Sequence, residues 1–145
     1  MRAKLPRTLT FYEMINLIKA LINRTGEPSD RSAPVSISVD DAFQLIQNTD
    51  ALLVDVRTPQ EWEETGIPRG AKCLPHTAKD FEQRLKTLID DDLDRRVIFI
   101  CRTGRRVKLA AKTALKAGFS NVFIVDGGVP GADGWIAKGY PVSQP

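Results

Sequence analysis

Three short, almost wholly apolar runs are separated by longer amphipathic stretches: ALLVDV at residues 51–56, VIFI at Val97–Ile100 and NVFIV at residues 121–125. Runs of this length with no polar alternation belong to strands covered on both faces, which is the situation of a parallel sheet. The stretches between them read as helices. Ser38 caps a helix through Ile46. Thr58, Pro59 and Glu61 supply an N-cap, a first-turn proline and a capping-box partner for a short helix through Glu64. Thr77 with Asp80 opens another helix, whose Phe81, Leu85, Leu88 and Ile89 form an apolar stripe ending in the acidic turn DDDLD. Lys108–Lys116 is helical, with Gly118 where a C-terminal glycine cap belongs, and a brief strand is expected near Ala71–Leu74. Strands joined by helices predict an α/β fold: a mostly parallel central sheet of about five strands with helices on both faces. Ligands of such sheets bind beyond the carboxyl ends of the strands.

Ahead of this unit, Thr10 and Glu13 form a capping-box pattern, and Phe11, Met14, Ile15, Ile18, Leu21 and Ile22 recur at helical spacing. An amphipathic helix is expected within residues 1–25, its apolar face packed on the domain or, failing that, on a second copy or another partner. GEPSDRSAP, residues 26–34, reads as a linker, leaving 35–145 as the main domain. Glu13, Asn16 and Lys19 interrupt the apolar residues, so no signal core or membrane span is expected. A formal net charge of +3 spread along 145 residues gives no reason to expect a nucleic-acid partner. Two cysteines, Cys73 and Cys101, are too few for a disulfide scaffold and suit free thiols in a reducing cytoplasm.

Cys101 ends the VIFI strand and begins CRTGRR, where Arg102, Arg105 and Arg106 surround Thr103 and Gly104. A loop passing from strand to helix aims backbone N–H groups at one point and adds the helix dipole, making a concavity suited to an anion. Gly104 lets it turn tightly. A thiol held there, beside arginines, is expected to be stabilised as a negative sulfur. The plainer reading is a small apolar core residue at a strand terminus. The glycine turn and basic rim favour catalysis.

Taken with LLVDVRTPQEWE (Leu52–Glu63), GFSNVFIVDGG (Gly118–Gly128) and GYPV (Gly139–Val142), this loop resembles those of single-domain rhodaneses, in the rhodanese-like sulfurtransferase superfamily. The match spans roughly residues 36–143 and omits the N-terminal helix. The resemblance implies a rhodanese-like sheet and a persulfide enzyme without metal or organic cofactor. Cys101 would take sulfane sulfur from a small anionic donor such as thiosulfate and pass it to cyanide, a thiol or a protein acceptor, in two half-reactions. Backbone amides from Arg102 to Arg106 would hold the charged sulfur, and the arginine side chains would attract the donor. Cysteine phosphatases and arsenate reductases of related architecture use a loop one residue longer, whose arginine position is Val107 here. Some rhodanese-like domains lose the cysteine and serve as docking or regulatory modules; this one keeps it.

The resemblance also places Asp55 and Arg57 beside the catalytic mouth, where a structural pairing of Arg57 with a carboxylate such as Glu61 is expected. Trp62 and Trp135 read as packing residues, and His76 is not read as the base. Cys73 reads as a buried strand residue rather than a resolving thiol. Two departures stand out. TGIPRGA, residues 65–71, lacks the family's histidine and gains Arg69, and VPGADG, residues 129–134, is inserted before Trp135. The insertion is expected to loosen the start of a last helix near the pocket mouth.

Overall fold

The computed structural model describes residues 33–145 together with Thr10, Tyr12, Glu13, Asn16 and Leu17. Its elements in chain order are β1 (Val35–Ile37), α1 (Val39–Asn48), β2 (Leu52–Asp55), α2 (Pro59–Thr65), β3 (Ile67–Pro68), β4 (Lys72–Cys73), α3 (Phe81–Leu88), β5 (Val97–Ile100), α4 (Arg106–Lys116), β6 (Val122–Val125) and β7 (Val142–Ser143). Five strands form one sheet in the order β1-β6-β5-β2-β4, and each neighbouring pair is parallel. β3 and β7 form a separate antiparallel pair.

Every residue of β2, β5 and β6 is buried, as apolar runs without alternation require. Successive side chains divide between two layers. Leu52, Val54, Val97 and Phe99 join Leu85 of α3 and Val107, Ala110, Ala111 and Ala114 of α4. Leu53, Ile98 and Ile100 join Phe43 and Leu45 of α1, with Trp135 and Tyr140. Cys101 continues the alternation of Phe99, so its side chain points into the layer under α4.

The helix ends follow the expected chemistry in most places. Ser38 Oγ accepts from the Asp41 N–H at 3.1 Å. Thr58 and Glu61 make both bonds of the capping box, with Pro59 in the first turn. Gly118, at φ +99, closes α4: its N–H donates to Leu115 O and that of Phe119 to Ala114 O, satisfying two terminal carbonyls. α3 begins later than expected, at Phe81. Its N-cap is Asp80, whose side chain makes no cap bond, and residues 77–80 form turns.

Two parts differ from expectation. Val35–Ile37 is a strand, which three residues between a linker and a helix cap are too short to announce. No helix follows the 129–134 insertion: residues 127–139 run through turns that are packed, not loose. Val129 and Trp135 are buried, the Trp135 N–H donates to Gly128 O at 3.0 Å, and Trp135 Nε1 donates to Pro141 O at 2.7 Å. The glycines bring backbone groups together where a helix would hold them apart, and the aromatic rings of Phe43, Trp135 and Tyr140 supply the apolar contact.

In the N-terminal extension the Thr10 N–H donates to Glu13 Oε2 at 2.9 Å and the Glu13 N–H to Thr10 Oγ1 at 3.1 Å, the expected capping box. Tyr12, Glu13, Asn16 and Leu17 are helical, and Leu17 packs against the α1 layer. The rest of the expected helix, and residues 26–32 of the linker, lie outside the described residues.

Candidate active site

β5 delivers Cys101 to the carboxyl edge of the sheet, between two neighbours that fix its backbone. The Val56 N–H donates to Ile100 O at 3.0 Å, and the Val129 N–H donates to Cys101 O at 2.9 Å. The chain then turns back over the sulfur, and the Gly104 N–H donates to Cys101 Sγ at 3.2 Å. Gly104 adopts φ +87, and a Cβ there would stand 3.1 Å from Asp126 O. Gly128, at φ +72, abuts the same loop from outside: a Cβ there would collide with the Arg102 carbonyl and lie 2.9 Å from Cys101 O. The two glycines let the 101–106 loop and the turn after β6 touch backbone to backbone.

Of the five amides expected to face the sulfur, Gly104's donates to it among the described residues. Cys101 is 0% exposed. In the loop that follows it Arg102, Thr103 and Arg105 are exposed.

The arginines divide into two kinds. Arg102 and Arg105 make no ion pair among the described residues, and their guanidinium groups are available to an anion. Arg106 is engaged: Nη1 donates to Glu61 Oε1 at 2.5 Å and Nη2 to Oε2 at 2.7 Å. That hydrogen-bonded guanidinium holds the Glu61 carboxyl down at about 2. The carboxylate in turn pushes Arg106 up, with a smaller contribution from Cys101. Glu61 thus performs two tasks, capping α2 and anchoring the first residue of α4.

Arg57 pairs with Asp55, not Glu61. The Asp55 carboxylate, at the end of β2, accepts from Arg57 Nε at 3.0 and 3.1 Å, from Nη2 at 2.8 Å and from the Arg57 backbone N–H at 3.1 Å. The remaining donors reach Thr65 Oγ1 at 2.8 Å and Gly66 O at 2.9 Å. Both residues are 0% exposed, and the pair ties β2 to the end of α2 instead of opening into the mouth. Thr58, one residue beyond Arg57, turns the chain into α2, whose Glu61 faces Arg106. The Glu61–Arg106 contact was not foreseen. The capping-box signal accounted for Glu61 locally and concealed its long-range partner.

Cys73, on edge strand β4, is half-buried, and burial followed by the charge of Asp55 pushes its thiol up. It is in register with Asp55, which is in register with Ile100. Two strand spacings, roughly 10 Å, separate Cys73 from the backbone beside Cys101. A disulfide requires Cα atoms within about 7 Å. His76 is half-buried and its N–H donates to Val56 O at 3.2 Å. Trp62 and Trp135 are buried, as packing residues. Among the described residues no three His, Cys, Asp or Glu side chains converge as a metal site would need, and no helix is long and apolar enough to cross a membrane.

Residues 38–134 match the family model described as Rhodanese-like domain. An uncharacterized protein of Rickettsia rickettsii is 35% identical over 106 residues, covering 67% of this chain and 86% of that one. The thiosulfate sulfurtransferase GlpE of Pseudomonas syringae is 35% identical over 85 residues, 59% of this chain and 74% of that one. A solved structure, the rhodanese-related protein of Thermoplasma volcanium, superposes with a TM-score of 0.58 at 28% identity, covering 76% of this chain and 98% of that one.

Proposed function

The chain belongs to the rhodanese-like domain family, and from that premise we propose that it is a sulfurtransferase working through a persulfide on Cys101. The observation that carries the reading is the Gly104 N–H directed at Cys101 Sγ across 3.2 Å, within a loop whose crest bears Arg102 and Arg105. A backbone donor directed at the sulfur stabilises the charge carried there.

The donor is thiosulfate or a similar small anion, attracted by Arg102 and Arg105. The Cys101 thiolate attacks the outer sulfur, an S–S bond forms on the enzyme, and the S–S bond of thiosulfate breaks as sulfite leaves with the electron pair. In the second half-reaction cyanide or an acceptor thiolate attacks the outer persulfide sulfur, and Cys101 departs as the thiolate. Electrons and charge balance in each step, so neither half needs an external oxidant. Thr103 and the amides of Arg102, Arg105 and Arg106 complete the cradle. Asp55 and Arg57 support the mouth from beneath, and a reducing cytoplasm keeps the thiol free. The similarity to a thiosulfate sulfurtransferase supports this reading over a docking module.

Intact mass after treatment with thiosulfate tests it, beside Cys101→Ser. The expected result is the gain of one sulfur atom by the wild type alone, lost again with cyanide or a thiol. No gain, or a gain that persists in the variant, refutes the mechanism. Cys101-dependent hydrolysis of an aryl phosphate would assign the loop to phosphatase chemistry instead.

A further inference from the structure

α4 covers β5 and β6 on its side of the sheet but stops short of the edge strand. Among the described residues β1 lies at the end of the strand order and pairs with β6 alone. The face of β1 toward α4 carries Ser36, in register with Ile124, instead of an apolar side chain. A groove of about 550 Å³ remains between α4 and β1, with Pro34, Leu115 and Ile124 on its floor and Lys108, Lys112 and Lys116 along one rim. Among the described residues no acidic side chain lines it. The three lysines are exposed and make no ion pair among the described residues. They stand four residues apart on one helix face, so successive lysines are spaced by about 6 Å along α4. The row begins two residues beyond Arg106, where the Cys101 loop enters the helix.

An unbroken row of one charge sign beside an apolar floor selects a segment carrying both opposite charge and apolar side chains. In an extended chain, alternate residues point the same way at intervals of about 6.6–6.8 Å, close to the lysine spacing. Such a segment, acidic at every second position and apolar between, would set its carboxylates on the lysines and its apolar side chains on Leu115 and Ile124. The outer edge of β1, which pairs with no strand among the described residues, borders the same groove. We infer that this groove docks an extended acidic-apolar segment of a partner protein and so brings the partner's acceptor thiol to Cys101. The delivery step rests on the sulfurtransferase reading above; the docking step does not.

The test separates the two. The probes are ten-residue peptides alternating Glu and Val, or Gln and Val, each with a terminal cysteine; binding is followed by fluorescence anisotropy on the full chain carrying Cys101→Ser. The Glu peptide is expected to bind about tenfold more tightly than the Gln peptide at low salt. The difference should shrink as salt is raised, because these charges are exposed to solvent. Lys108→Gln, Lys112→Gln and Lys116→Gln together should abolish it, with an unchanged circular dichroism spectrum showing that the fold is intact. On persulfide-loaded wild type the Glu peptide should accept sulfur faster than the Gln peptide, and the triple variant should lose that advantage while transferring to a small neutral thiol at the wild-type rate. Equal binding of the two peptides, or a triple variant that still discriminates, overturns the docking surface. Tighter binding of a single-stranded oligonucleotide, or a dimer that dissociates in the triple variant, assigns the groove to another occupant and also overturns it. Selective binding without any persulfide would leave docking intact and defeat the sulfurtransferase reading alone.

Discussion

Glu61 and Arg106, 45 residues apart in the chain, close a two-pronged ion pair that joins the helix after β2 to the first residue of α4. Their side chains are 16% and 22% exposed, so solvent competes weakly for the contact. The Cys101 loop is consequently fixed at its far end by a residue of another element, as its near end is fixed by β5.

The pair has a pH signature. Arg106 lowers the Glu61 carboxyl from 4.5 to about 2 on folding. A carboxyl lowered in this way contributes stability that is complete above its unfolded value and disappears as pH falls through its folded value. Glu61→Gln is expected to cost about 1–2 kcal/mol at pH 7, where the charge-assisted bonds are intact. The gap from wild type should begin to narrow below pH 4.5 and close toward pH 2. Urea midpoints measured across this range check it; a gap that stays constant down to pH 2 contradicts the role assigned to Arg106.

Two glycines with the same backbone requirement separate conformational strain from close approach. Gly70, at φ +85, has nothing within 4 Å of the position a Cβ would take, whereas Gly128, at φ +72, meets the Arg102 carbonyl. Gly70→Ala should cost only the left-handed penalty, on the order of 1–2 kcal/mol. Gly128→Ala must add displacement of the Cys101 loop, so it should be the less stable variant and also the slower at taking up sulfur. Thermal midpoints and single-turnover sulfur uptake compare them; equal losses in both would mean that the turn after β6 does not support the loop.

The thiols should remain independent. Cys73 lies across β2 from the strand that bears Cys101, and its thiol is pushed up by burial and by Asp55. Mild oxidation with diamide is expected to leave no intramolecular disulfide, and Cys73→Ser should transfer sulfur to a thiol acceptor as fast as wild type. Loss of two hydrogen masses on oxidation, or slower release of sulfur from the variant after normal loading, would make Cys73 a resolving residue.

The parts of this architecture that were legible in the sequence are those written in contiguous residues. Four-residue apolar runs gave β2, β5 and β6, and the side-chain oxygens of Ser38 and Thr58 marked α1 and α2, because a cap is a bond between residues three apart. The position of Cys101 between strand and helix was legible for the same reason. What escaped depends on tertiary contact. β1 and the β3–β7 pair are three and two residues long and exist through their partners. Arg57 had two carboxylates within reach by sequence, and only the direction in which the chain leaves β2 chose Asp55. The close approach of Gly128 to the Cys101 and Arg102 carbonyls likewise joins residues far apart in the chain.

That choice by Arg57 leads to a prediction about the scaffold beneath the mouth. A fully buried ion pair is held by geometry that gives each charged atom a partner, and here every guanidinium nitrogen has an acceptor among the Asp55 carboxylate, Thr65 Oγ1 and Gly66 O. Removing one partner strands the other charge without water. Arg57→Met should therefore destabilise the domain by about 3–5 kcal/mol, whereas the double change Asp55→Leu with Arg57→Met removes both charges and should recover part of that loss. The shortfall that remains measures what the pair contributes by joining β2 to the end of α2, which no apolar pair can reproduce because Gly66 O would lose its donor. Urea unfolding of the two variants and wild type decides it. A double variant no more stable than Arg57→Met would show that the orphaned Asp55 charge is not the source of the cost, and that the hydrogen bonds to Thr65 and Gly66 are.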